Sequence, residues 1–149
     1  MRAVVTRCLE ASVCVEGDVI SSFSAPETGG LLALIGISRN DIASGEIDKS
    51  VENMARKLAE LRILSGELSI STAQAPILVV SQFTLYGKTA KGRRPSWSEA
   101  APAKEAKPVI DKLVALLRSQ GLTVYEGVFG AKMEVSSIND GPFTVLVET

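Results

Sequence analysis

Alternating apolar positions open the chain. Ala3 and Val5, then Val13 and Val15, recur with a period of two, Gly17-Asp18 supplies turn chemistry, and Val19 to Phe23 reads as the returning strand. Gly29-Gly30 then releases Leu31 to Ile37, whose near-continuous apolar character predicts a strand buried on both faces. From Asp41 the period lengthens. Ile47, Val51, Met54, Leu58 and Leu61 fall on one helical face and charged residues on the others, which predicts one amphipathic helix ending near Leu64 or Ser65. A polar interval through Pro76 leads to Ile77-Leu-Val-Val80, a second buried strand that delivers Ser81 to Leu85 at its C-terminal end. Ala106, Ile110, Leu113 and Leu117 predict a second helix closed by Gly121. Pro102 suits its first turn, whereas Pro108 is expected to kink a helix already under way. Thr123 to Val128, Met133 to Ile138 and Phe143 to Val147 read as closing strands, the last two joined through a turn at Asp140-Gly141.

This order predicts a single α+β domain over residues 1–149, with a mixed or antiparallel sheet or partly open barrel and two helices packed on one side. The other sheet face needs cover. A second copy of the chain in a homodimer would supply it, and so would the sheet's own strands curling over.

Composition narrows the chemistry. With 149 residues and 46% hydrophobic content the chain can close a core without metals or disulfides. Cys8 and Cys14 read as small buried hydrophobes in a reducing compartment. Sixteen basic residues against 17 acidic ones, a net charge of −1, argue against a protein that coats nucleic acid nonspecifically, and leave room for a local basic patch. No apolar run approaches the ~20 residues of a membrane span. The chain is therefore expected to be cytoplasmic, with neither membrane nor DNA as a partner. It contains no histidine. A Ser-His-Asp triad, a Cys-His dyad and a histidine-ligated zinc are thus excluded, and no metal or cofactor is expected. Catalysis has to use backbone dipoles, hydroxyls, amides, carboxylates, lysines or the substrate's own groups.

Two segments suit such chemistry. In Ser81-Gln-Phe-Thr-Leu85, an irregular backbone after a buried strand can aim N–H groups into a pocket as an oxyanion hole, with Thr84 as nucleophile or orienting hydroxyl. Residues of this kind at a strand end also serve merely to satisfy local backbone groups. Asn139-Asp-Gly-Pro-Phe-Thr144 is composed as an ordinary turn, yet its Gly141-Pro142 bond can be cis, fixing two carbonyls as acceptors for an ammonium group. Lys88 to Ser98 forms a basic loop with Lys88, Lys91, Arg93, Arg94 and Trp97, suited either to solvent or to phosphates and bases at a single-stranded RNA end. Met133, on an alternating strand, belongs either beneath a base or in the core.

Taken in order, Arg7-Cys-Leu-Glu-Ala-Ser-Val13, Val15-Glu-Gly17, Gly30-Leu-Leu32, Val79 to Leu85, Gly92-Arg-Arg-Pro-Ser-Trp97 and Asn139 to Thr144 resemble the D-aminoacyl-tRNA deacylases of the D-tyrosyl-tRNA deacylase type. The resemblance covers essentially the whole chain. It implies a homodimer that hydrolyses the ester between a D-amino acid, or glycine, and the 3′-terminal adenosine of tRNA, without a cofactor. It further implies that Ser81, Gln82, Phe83 and Thr84 form the catalytic pocket, with the Phe83 and Thr84 amides as oxyanion donors. Gly141-Pro142 would enter the partner's pocket as a Gly-cisPro element, bind the substrate amine and exclude L side chains. Lys88, Lys91, Arg93, Arg94 and Met133 would contact the tRNA end. The chain departs from the family pattern at Gly66 to Ser69, at Trp97 and at Pro108. Two other readings fit the residues: a non-catalytic module that binds RNA ends, and a small-molecule hydrolase using Thr84.

Overall fold

A long first strand organises the sheet. The computed structural model describes residues 1–90 and 92–149. In it, β1 (Arg2–Val15) pairs antiparallel on one edge with β3 (Gly30–Gly36) along its first half and with β2 (Asp18–Ser24) along its second. Its other edge carries β6 (Met133–Glu148) along the full length. Next to β3 lie two parallel strands, β4 (Ile77–Ser81) and β5 (Val124–Glu126). Ser21 of β2 donates its hydroxyl to the Glu126 carbonyl of β5 at 2.7 Å, so the last strand returns toward the first hairpin. The sheet is a nearly closed barrel. The β1–β2 turn is Glu16-Gly17, both at positive φ as a tight hairpin requires, one residue earlier than the sequence pattern places it.

The apolar run in β3 divides by parity. Leu31, Ala33 and Ile35 join Ala3, Val5, Ile77 and Val79 in a core covered by helices, while Leu32, Leu78 and Val80 face Cys8, Ala11, Val13 and Phe23 on the inner side. Both faces are buried, as the continuous apolar pattern predicts. The chain's own strands curl over much of the inner face, while Val135, paired opposite Val13, stays partly exposed. Both cysteines are free, Cys8 buried and Cys14 half-buried. Burial raises the Cys8 thiol pKa to about 11.

Four helices are present among the described residues rather than two: α1 (Arg39–Ala43), α2 (Ile47–Glu60), α3 (Ile70–Ala73) and α4 (Ala103–Ser119). The predicted single helix after Asp41 breaks at Gly45, whose φ of +72° an α-helix does not allow. Its second piece ends at Glu60, because Leu61 turns extended and carries Ile63 and Leu64 into the core. Pro108 lies inside α4 and does not end it. Both Pro108 and Lys104, whose carbonyl loses its helical donor there, face solvent, so water can take the missing bond.

The C-terminal segment corrects the hairpin expectation. Met133 to Glu148 runs as one strand beside β1, and Asp140 to Phe143 bulge from it opposite Arg7, between the pairs Thr6–Thr144 and Cys8–Asn139. Composition alone cannot separate a bulge from a tip, since both use Asp-Gly-Pro.

Candidate active site

Strand β4 ends at Ser81, and the backbone then tightens. Gln82 donates its amide to the Ile35 carbonyl at 2.7 Å, and Phe83–Tyr86 form a 3₁₀ turn. Leu85 and Gly87 donate back to the carbonyls of Gln82 and Thr84. Neither the Phe83 nor the Thr84 amide has an acceptor among the described residues. These are the donors that begin a helical turn and have no partner within it.

Beside the turn lies a cleft of about 480 Å³, lined by Ser81, Gln82, Phe83, Trp97, Phe129 and Met133 over a floor of alanines and isoleucines. No ionisable side chain is among its lining residues within the described part of the chain. At its mouth Phe83 and Trp97 meet edge to face with ring centroids 5.6 Å apart. They are 55% and 43% exposed, which leaves aromatic faces available for stacking. Three glycines make the arrangement possible. A Cβ on Gly36 would lie 3.0 Å from the Gln82 carbonyl oxygen and 3.1 Å from the Tyr86 ring; one on Gly87, 2.4 Å from the Trp97 ring; one on Gly127, 2.5 Å from the Met133 sulfur. Gly36, in a run of strand formers, is the kind of signal that could have shown a close backbone approach in advance.

The Thr84 hydroxyl donates to the Gln82 side-chain carbonyl at 2.6 Å. An amide oxygen is not a base that activates an alcohol, so Thr84 sits in a positioning arrangement rather than that of a primed nucleophile. Behind the turn, Tyr86 donates to Asp41 at 3.3 Å. Burial, aided by the Asp41 charge, raises the Tyr86 pKa to about 12. Burial also disfavours the Asp41 carboxylate, but hydrogen bonds from the Met1 ammonium and from Ser38 prevail and hold its pKa below the ordinary range.

The structure brings Ser81, Gln82, Phe83, Thr84 and Met133 to one end of the strands, and it does not bring Gly141 and Pro142 there. Those two residues are exposed on the β6 bulge, their peptide bond cis, beside Arg7. Arg2 pairs with Gly36 at the cleft end and Arg7 with Leu31, five residues further on, or about 16 Å along the strand. Arg7 fixes the bulge. Its guanidinium donates to the carbonyls of Asp140 (3.1 Å), Gly141 (2.9 Å) and Ile63 (3.2 Å), and pairs with the Asp140 carboxylate at 2.8 Å. The sequence pattern placed Arg7 in a strand without showing this clamp, since its partners lie more than 50 residues away.

The basic loop is less uniformly cationic than its sequence. Lys88 pairs with Glu99 at 2.7 Å, whereas Arg93 and Arg94 are exposed. Lys91 lies outside the described residues.

The sequence matches the family model described as D-Tyr-tRNA(Tyr) deacylase over residues 4–148. The chain belongs to that family. Among the proteins it is similar to, the D-aminoacyl-tRNA deacylase of Corynebacterium glutamicum (strain R) is 55% identical over 99% of both chains, and that of Mycolicibacterium smegmatis (strain ATCC 700084 / mc(2)155) is 49% identical over 99% of both. A solved structure titled as the c-Myc DNA Unwinding Element Binding Protein superposes with a TM-score of 0.86 at 36% identity, covering 100% of this chain and 99% of that one. A probable eukaryotic D-amino acid tRNA deacylase gives the same TM-score at 15% identity, covering 99% of this chain and 98% of that one, which speaks for a shared fold. As a deacylase the chain is a hydrolase, and it performs that chemistry without an imidazole. No helix among the described residues is long and apolar enough to cross a membrane.

Proposed function

We propose that this deacylase, in the cytoplasm, releases D-amino acids from the 3′ end of tRNA as a homodimer, and accepts glycyl-tRNA as well. One observation carries the reading: the Phe83 and Thr84 amides, which have no acceptor among the described residues, belong to a turn whose Phe83 lines a cleft with no ionisable side chain among the described lining residues. An aminoacyl ester is already activated, so it needs charge stabilisation and positioning more than a strong base. Backbone donors at the developing oxyanion supply about 10²–10³ in rate each. Holding the terminal ribose beside the carbonyl lets its hydroxyl assist a water. Thr84, bonded to Gln82, orients the pocket. Phe83, Trp97 and Met133 offer faces for the terminal adenine, with Arg93, Arg94 and the loop's lysines near the phosphates.

In this reading the Gly141-Pro142 bulge enters the cleft of a second copy. Two features support it: the bulge is exposed and clamped by Arg7, and it cannot serve the cleft of its own chain from about 16 Å away. There the carbonyls of the Gly141-Pro142 element accept from the substrate ammonium, and the approach of backbone leaves no space for an L side chain. Glycine has no side chain to exclude. The exposed apolar residues Val135, Ile138 and Leu146 of β6 offer surface for the partner.

Gly141→Ala tests the arrangement. A Cβ there meets nothing within 4 Å in its own chain, and the φ of Gly141 lies outside the left-handed region. The variant should fold as stably as the parent yet lose cleavage of D-tyrosyl-tRNA, because the added methyl projects into the neighbouring cleft. Full activity would refute cross-subunit insertion. Free amino acid released by the parent separates an enzyme from a pure RNA-end binder, which releases none.

A further inference from the structure

The turn that carries the Phe83 and Thr84 amides is held from outside the cleft by Arg2, which lines no part of it. The Arg2 Nη1 donates to the Leu85 carbonyl at 2.9 Å, and its guanidinium lies 4.9 Å from the centroid of the Tyr86 ring. Nε of the same group pairs with Glu148 at 2.7 Å, which fixes the plane of the fork. Thus one planar cation grips two consecutive residues of a four-residue turn from strand β1, whose pairing with Gly36 is part of the barrel. Tyr86 passes the constraint on. Its hydroxyl reaches Asp41, whose carboxylate caps Ser38, and Ser38 bridges to Ala100 in the cleft wall.

We infer that Arg2 is a positioning residue for hydrolysis, holding the 83–86 turn so that its amides keep their aim; this rests on the function proposed above. In the proposed reading the ground-state substrate is held by Phe83, Trp97, Met133 and the loop cations together, and of these only Phe83 lies in the turn that Arg2 holds. Charge develops on the carbonyl oxygen only in the transition state, so a loosened turn should lower kcat by more than it raises KM. The alternative is that Arg2 is a surface ion pair with Glu148. Such a pair, with both side chains substantially exposed, contributes little.

Arg2→Lys keeps the charge but cannot hold Leu85 and Glu148 with one planar fork. Expected for this variant are a kcat on D-aminoacyl-tRNA lower by about tenfold, a KM raised by less than kcat falls, and faster hydrogen exchange in the segment 82–87, with exchange elsewhere in the barrel unaltered. Glu148→Gln, which leaves the Leu85 contact in place, should retain the parental kcat. Parental kcat and exchange in Arg2→Lys would overturn the inference, as would an equal loss in Glu148→Gln. Arg2→Gln provides a second variant, judged by the same readouts. If the parent protein releases no D-amino acid, the proposed function fails, while exchange in the 82–87 segment still decides whether Arg2 holds the turn.

Discussion

Replacing Gly36 by alanine should disable the site while leaving the barrel folded. The new Cβ would lie 3.0 Å from the Gln82 carbonyl oxygen, 3.1 Å from the Tyr86 ring and 3.2 Å from the Leu85 Cβ, so three atoms of the 82–86 segment are crowded at once. Carbon atoms rest comfortably at about 3.5–4.0 Å, so the turn has to retreat by roughly 0.4 Å. Retreat is not free, because Gln82 is tied to Ile35 and Leu85 to Arg2. Overpacking of this kind costs about 1–3 kcal/mol of stability. Productive geometry has to be held within about 0.5 Å, a margin that this retreat almost exhausts, and complete loss of one oxyanion donor costs about 10²–10³, so partial misalignment of the donors should lower kcat by about tenfold. Single-turnover hydrolysis of D-tyrosyl-tRNA gives the rate, and urea melts give the stability. Parental kcat in Gly36→Ala would refute the claim that the position of this turn sets the rate.

Other outcomes follow from the same geometry. Because the folded pKa of Asp41 is depressed, its contribution to stability is present above the unfolded value of about 4 and is lost as pH falls through the folded one; Asp41→Asn should flatten the acid limb of the stability profile, and an unaltered limb would show that the carboxylate is not so coupled. Tyr86 has a raised pKa of about 12, so its contribution is intact below about pH 10 and lost as pH rises toward 12; Tyr86→Phe should show a weaker alkaline loss in the same melts. Leu113, fully buried between α4 and the sheet, should cost about 2–5 kcal/mol when cut to alanine, and a smaller loss by denaturant titration would mean that the core collapses to fill the cavity. Thr84→Ala should retain a substantial part of its single-turnover rate, because the hydroxyl is bonded to an amide oxygen and not to a base; complete inactivity with intact tRNA binding would restore the nucleophile reading. Arg93→Ala combined with Arg94→Ala should weaken tRNA binding and reduce its salt dependence more than Lys88→Ala, whose charge Glu99 already offsets.

What was legible in the chain was whatever depends on near neighbours. The two-residue period of Ala3 to Val15, the run Leu31 to Ile37 and the helical spacing of Ala106 to Leu117 each encode which faces are dry, and burial on both sides of β3 follows from the run alone. The lack of histidine, a matter of composition, ruled out imidazole chemistry before any geometry was known. The segment 81–85 was identifiable as a strand end, and the resemblance named the Phe83 and Thr84 amides as donors, but how the turn is tied, Gln82 to Ile35 and Leu85 to Arg2, was not, because those partners come from elsewhere in the chain. Gly45 broke a helix that hydrophobic spacing joined, because spacing records side-chain faces and is blind to a single positive φ. Gly141-Pro142 became a bulge instead of a hairpin tip because β1 is long enough to pair with both flanking segments, and Arg7 has no local signal that it will clamp carbonyls 133 and 134 positions away. Long-range pairing alone set the bulge midway along β1 and away from the cleft, since strand register fixes distances between residues that the chain itself leaves unrelated.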